Sequence, residues 1–284
     1  MRVSGWLKGA CVVAVFGVVV VAESKRRGSL PERASVRATE LEEKATADKE
    51  SGHYAEAAGL LRGALRLRED AGVGGSLEEA RMLNNLAELY RLQNRVDEAV
   101  PLAQRALEIV KSTLGAEDVL TATCLNNLGE LYRAQSRYAE AELMLDSALA
   151  VRLRKLGPND PEVAVTVSNI GLLQAAERKY EDADRLITRA LAIDESSLGP
   201  NDPSVAVDLS NLAMVKAARG EAVEARQLLQ RAVSIDESAL GVDHPQLAVH
   251  LQELAKLYRQ AGQSDLAEPL EARVAKIRRA HPDP

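Results

Sequence analysis

Written in steps of 42 residues, this 284-residue sequence repeats itself. Residues 83–99 (LNNLAELYRLQNRVDEA) align without a gap to 125–141 (LNNLGELYRAQSRYAEA), 167–183 (VSNIGLLQAAERKYEDA), 209–225 (LSNLAMVKAARGEAVEA) and 251–267 (LQELAKLYRQAGQSDLA). A degenerate copy stands upstream at 52–69 (GHYAEAAGLLRGALRLRE). The loop LGAED at 114–118 returns as LGPND at 156–160 and 198–202, and as LGVDH at 240–244. A fixed period of this length means one small unit stacked many times, each covering its apolar face with its neighbours.

Within a copy the apolar spacing is helical: Leu83, Leu86, Ala87 and Tyr90 follow i, i+3, i+4, i+7, as do Leu125, Leu128, Gly129 and Tyr132. Ala99, Leu102, Ala103, Ala106 and Leu107 mark a second helix. Small residues at Ala87, Gly129, Gly171, Ala213 and Ala255 let the paired backbones approach closely. A turn holding Asn94, Ser136, Gly220 or Gly262 separates the two helices. Asp160-Pro161 and Asp202-Pro203 read as an N-cap followed by proline at the first helical position, and Gly157 and Gly199 fit the C-terminus of the helix before. The composition agrees. Aromatic residues make up only 3%, with the single Phe and single Trp inside the first 16 residues, so the core is built from Ala and Leu. Gln174 and Lys216 stand where other copies have Tyr, which predicts looser packing in those two units.

These small, apolar, Tyr and Ala positions resemble the tetratricopeptide repeat family. The 42-residue period and the LGxxxP loop are most similar to the kinesin light chain variety. The resemblance implies an all-α solenoid, a right-handed superhelix of antiparallel helix pairs whose concave groove binds extended peptides. It covers 36–280: a degenerate cap at 36–77, then units at 78–119, 120–161, 162–203, 204–245 and 246–280. A tail follows at 281–284. Lys44, Asp48, Glu253 and Glu271 interrupt apolar or Asn columns in the first and last units, as the polar ends of a solenoid require.

Ahead of the array, Arg2 and Lys8 precede an uncharged run at 9–22 (GACVVAVFGVVVVA), followed by Lys25, Arg26 and Arg27. A basic start, a short apolar stretch and a small residue at Ala22 match a secretory signal peptide. As a helix the run reaches ~21 Å, short of a ~30 Å hydrocarbon core; counted from Trp6 it becomes a marginal span. Residues 1–22 are therefore read as a cleaved signal or a retained N-terminal hydrophobic helix, and 23–35 as a linker. The expected location is exported or membrane-anchored, with membrane contact only through this segment.

At about 100° per residue, the stripe opposite the apolar one can be followed through the array. It holds Arg81, Asn85, Glu88 and Leu92, then Thr123, Asn127, Glu130 and Ala134. It continues as Val165, Asn169, Leu172 and Ala176, then Val207, Asn211, Met214 and Ala218. Asn85, Asn127, Asn169 and Asn211 form a column at the repeat period, and an amide can both donate to and accept from a peptide backbone. In the resembled family asparagines at this place hold the ligand main chain. Val165, Leu172, Val207 and Met214 make the middle of the groove apolar, while Arg91 and Arg133 with the acidic residues charge its first half. The Lys-rich carboxylate clamp of chaperone-binding relatives is not matched.

The net charge of −6 is spread along the chain with no clustered basic face, so nucleic acid is not an expected partner. No phosphate loop, zinc spacing or nucleophile elbow is present, and Cys11 and Cys124 form no disulfide framework. Asp194-Glu195 and Asp236-Glu237 recur with the period and read as solvated surface. The expected function is a non-catalytic adaptor that binds a protein or peptide ligand in the groove, without metal or cofactor. The alternative is a self-assembling structural scaffold of the cell envelope with the groove empty. The sequence leaves the oligomeric state open.

Overall fold

The computed structural model describes residues 30–281. Among the described residues the chain is twelve helices and no strand. They pair as α1 (Leu30–Glu50) with α2 (Tyr54–Asp70), α3 (Leu77–Leu92) with α4 (Val96–Leu114), and α5 (Val119–Ala134) with α6 (Tyr138–Leu156). The second half pairs α7 (Pro161–Ala176) with α8 (Tyr180–Ser197), α9 (Pro203–Ala218) with α10 (Ala222–Ala239), and α11 (Pro245–Gln260) with α12 (Ser264–Ala280). Residues 1–22, read as a cleaved signal or a retained hydrophobic helix, lie outside the described residues. Among the described residues no helix is long and apolar enough to cross a membrane. Helix α1 begins at Leu30, so helical structure reaches into the stretch read as linker.

Loop chemistry sets each boundary. The carboxylates of Asp118, Asp160 and Asp202 accept from the backbone N–H two residues on, each at 2.9 Å. His244 does the same for Gln246 at 3.2 Å, its ring Nδ1 standing in for the carboxylate. These bonds satisfy donors that a helix start leaves orphaned. Inside the hairpins the chain reverses through a left-handed residue, glycine at Gly52, Gly220 and Gly262 but Asn94, Ser136 and Arg178 in the other three. Arg178, at φ 64°, holds a conformation that a long side chain tolerates poorly.

Small residues fix the approach within a pair. A Cβ on Gly129 would sit 2.7 Å from Leu145 Cγ, and one on Gly171 would sit 2.6 Å from Ile187 Cγ1. Ala87, Ala213 and Ala255, at the same place in other units, are buried with their methyl groups accommodated. The expectation of looser packing at the missing tyrosines is corrected for Lys216. Tyr90 and Tyr132 each carry an arginine, Arg95 or Arg137, at 4.1 Å over the ring. In the later unit Lys216 and Glu221 occupy those two positions and pair at 3.1 Å, with Asp184 a further 2.9 Å partner of the ammonium. One stacked pair has been replaced by an ionic one.

Consecutive units pack second helix to first, and the first helices α3 and α5, α5 and α7, and α7 and α9 also touch. The array therefore curves with its first helices inside. It does not extend as a rod. His244 Nε2 lies 3.2 Å from the Glu50 carbonyl, the rings of His53 and His281 are 5.8 Å apart, and Gly52 packs so closely on Pro245 that a side chain there would collide. The turn of the first hairpin thus meets the entry to the last.

Candidate functional site

The inner faces of α3, α5, α7 and α9 form a trough. One recess of about 500 Å³ contains Val165, Asn169, Leu172, Val207, Asn211 and Met214 together with Arg91 and Arg133. Glu130, Ser168, Ser204, Asp194 and Asp208 complete its lining. A second recess of about 250 Å³ contains Asn127 and shares Arg91, Glu130 and Val165 with the first, so the two adjoin. Asn85 stands apart, in a pocket with Leu77, Arg81, Asn84 and Cys124. The structure therefore brings eight of the ten candidate residues to one recess, a ninth to its neighbour, and separates the tenth.

Val165, Val207 and Met214 are exposed, as an apolar floor needs to be to meet a ligand. The asparagines are not equivalent. Asn169 is 8% exposed and therefore buried, not solvated. Its amide donates to Asn126 at 3.1 Å and to Glu130 at 2.6 Å, tying α7 to α5. Both its N–H groups are spent, leaving only its carbonyl for a ligand. Asn211 donates to the Ser168 hydroxyl at 3.3 Å, and the Asn127 carbonyl accepts from Asn126 at 3.3 Å. Both remain half-buried at the trough surface.

Charges in the first half of the trough are nearly all matched. Glu42 takes Arg81 with two bonds at 2.7 and 2.8 Å, and Lys49 takes Glu88 at 2.6 Å. Arg91 reaches Glu130 at 3.4 Å. Arg133 is the exception, with a buried Nε that has no hydrogen-bond partner. Burial lowers its pKa, against the Glu130 charge.

Asp194 and Asp236 correct the reading of solvated acid pairs: both are buried, and only Glu195 and Glu237 reach solvent. They belong to a second-helix column, Arg152, Asp194 and Asp236, that faces a first-helix column, Thr166, Asp208 and His250. Arg152, 1% exposed, donates to Thr166 Oγ1 at 2.6 Å and to the Glu162 carbonyl at 2.8 Å, and pairs with the Glu162 carboxylate. Asp236 lies 2.8 Å from His250 Nδ1, an acid beside a base in close contact without hydrogen-bond alignment. Between these units Asp194 faces Asp208, two acids together. Burial pushes Asp208 up to about 7, the Asp194 charge adding to the rise against the Ser168 hydrogen bond. Burial likewise pushes Asp194 up to about 6, with Asp202 adding.

A sequence signal for this column existed. Ile187, Ala190 and Asp194 follow i, i+3, i+7, as do Leu229, Ala232 and Asp236, so the acids sit on the apolar stripe of their helices. Among the described residues, no cluster of three or more metal-ligating side chains occurs. Cys124 is buried, which pushes its thiol up to about 11 and leaves it inert.

The tetratricopeptide repeat profile matches residues 78–154, 162–238 and 205–280, and a second profile of the same description matches 43–112. Nearly identical TPR-like repeats from Podosopora anserina, assigned to a kinesin light chain, superpose with a TM-score of 0.53 at 27% identity, over 70% of this chain and 93% of that one. BtubC (BKLC) from P. vanneervenii superposes with 0.57 at 22% identity, over 90% and 96%. A Rap protein solved with competence and sporulation factor gives 0.60 at 17%, over 85% and 74%. The last two show the shared fold alone. No curated protein matches the sequence.

Proposed function

We propose a function from one premise: the chain belongs to the tetratricopeptide repeat family, in its kinesin light chain-like form. Proteins of this kind are in general non-catalytic scaffolds for other proteins. The reading here is an adaptor that holds an extended peptide segment of a protein partner in the trough of α5, α7 and α9. The supporting observation is the shared recess, where exposed Val165, Val207 and Met214 lie beside the amides of Asn127 and Asn211. Apolar side chains there would bury against the floor while the amides bond the ligand main chain. That a Rap protein was solved with competence and sporulation factor is in keeping with such a role for an array of this shape.

Selection from a displayed library of extended peptides tests the reading. Peptides recovered on the folded protein should lose at least tenfold in affinity to a variant carrying Asn127→Ala, Asn211→Ala and Val207→Asp. Equal binding to that variant refutes it. The self-assembling scaffold is the weaker reading, because contacts at Glu50, Gly52 and His53 with the last pair occupy part of the surface that end-to-end stacking would use. A light-scattering mass that stays monomeric over a wide concentration range removes it. We further propose that residues 1–22 direct the array to the membrane or beyond it. The mass of the mature N-terminus distinguishes cleavage after Ala22 from a retained anchor.

A further inference from the structure

We propose that the Asp194–Asp208 end of the trough is a subsite for a basic side chain, a lysine ammonium or an arginine guanidinium, on the segment that the groove binds. This deepens the groove reading and rests on it. The Asp194 carboxyl is 3% exposed and makes no hydrogen bond, and its Oδ1 is sealed from solvent. Asp208 is 4% exposed; Oδ1 accepts from the Ser168 hydroxyl at 2.8 Å, and Oδ2 has no partner. Both residues line the recess. A buried carboxylate without a partner is costly, and proteins avoid it by pairing, coordination or protonation.

The molecule contains its own controls. One repeat earlier, the same two positions place the Arg152 cation against Thr166 and Glu162. One repeat later they place Asp236 against His250. Only the middle junction sets acid against acid. It is also the junction that opens into the apolar part of the trough, beside Ser204, Val207, Asn211 and Met214. A cation suited to this junction is a group with N–H donors that enters from the groove. Its charge would match the two carboxylates, and its aliphatic stem would lie along Val207 and Met214. A metal ion is a poor fit, since no third ligating side chain joins the pair. The recess holds two cations of its own, Arg91 and Arg133, and neither pairs with these acids; Arg91 is held by Glu130.

The test is a titration of butylammonium into the isotope-labelled full chain at pH 8, followed by the backbone amide resonances. Saturable shifts are expected at Ser168, Asp208 and Asn211, with butan-1-ol at the same concentration giving none. Affinity should fall at least tenfold in D194N/D208N. That variant keeps the shape while removing like charges, so it should fold. If it does not, D208N alone carries the comparison, with a several-fold loss expected. Equal response to butan-1-ol, or unchanged affinity in the folded variants, overturns the proposal. Failure of the groove reading looks different: library peptides would ignore Asn127→Ala with Asn211→Ala while butylammonium still bound.

Discussion

The two halves of the trough solve one geometric problem in opposite ways. On α3 and α5 the inner stripe carries Glu88, Arg91, Glu130 and Arg133; Lys49 of α1 takes Glu88, Arg91 and Glu130 take each other, and only Arg133 of the four is left without an ion pair. On α7 and α9 the same positions carry Leu172, Ala175, Met214 and Ala217, and among the described residues Met214 stays exposed. Below them the buried column changes too. Arg152 has Thr166 and Glu162 as partners, its Nε alone lacking one, whereas Asp194 and Asp208 set acid against acid. A repeat can therefore keep backbone geometry constant while one half is internally satisfied and the other is left short of partners.

The largest effect that would break this contrast is at Arg152. Replacing it with Ala opens a cavity and takes the donor from Thr166, while half-exposed Glu162 is solvated, so the cost is about 3 kcal/mol, as for large-to-small changes in a core. Denaturant titration measures this, and a cost under about 1 kcal/mol would show that the first half is no better satisfied than the second.

The next effect has the opposite sign. The folded pKa of Asp208 lies near 7, above its ordinary 3.8, so the protonated form is the one the fold favours. Stability is then fullest below about pH 4 for this group, falls as pH rises toward 7, and levels off above it. At about 1.4 kcal/mol for each pH unit, and allowing for a weaker hydrogen bond to Ser168, Asp208→Asn should stabilise the fold by about 3 kcal/mol at pH 8. At pH 4 it should change little. Denaturation midpoints at the two pH values decide it, and a gain of equal size at both would exclude titration as the cause.

Smaller effects sharpen the comparison of backbone and side chain. Gly171→Ala drives a methyl into Ile187 and should cost about 2 kcal/mol by overpacking. Arg178→Gly should relieve the left-handed turn and stabilise by about 1 kcal/mol. Finally, joining Lys216→Tyr with Glu221→Arg should rebuild the stacked pair of the earlier units. The double variant should be more stable than the two single effects add up to, by about 0.5–1 kcal/mol in a double-mutant cycle.

Much of this was legible before the structure. Helix pairing, the Asp-Pro starts and the glycine loop exits follow from local chemistry, and the 42-residue step carried them from unit to unit. Val165, Val207 and Met214 were readable as exposed because a helix of known phase has only one side left over. Asn169 was not, because its two amide bonds go to Asn126 and Glu130 on another helix. Lys216 reads as a defect in the repeat for the same kind of reason: its partner Asp184 comes from the preceding unit.

What the sequence determined by itself was everything set by period and phase: the hairpin, its caps, the stacking, and the face left toward the trough. These depend on contacts within one repeat or with an identical neighbour, so one copy explains the next. The tertiary structure alone decided how far the array curves, which brings Gly52 onto Pro245, and which buried polar groups find partners across a junction. Those outcomes accumulate small differences between copies over the whole solenoid. Whether Asp194 meets a base or another acid depends on a side chain fourteen residues away on a different helix, at a spacing that no local rule reads.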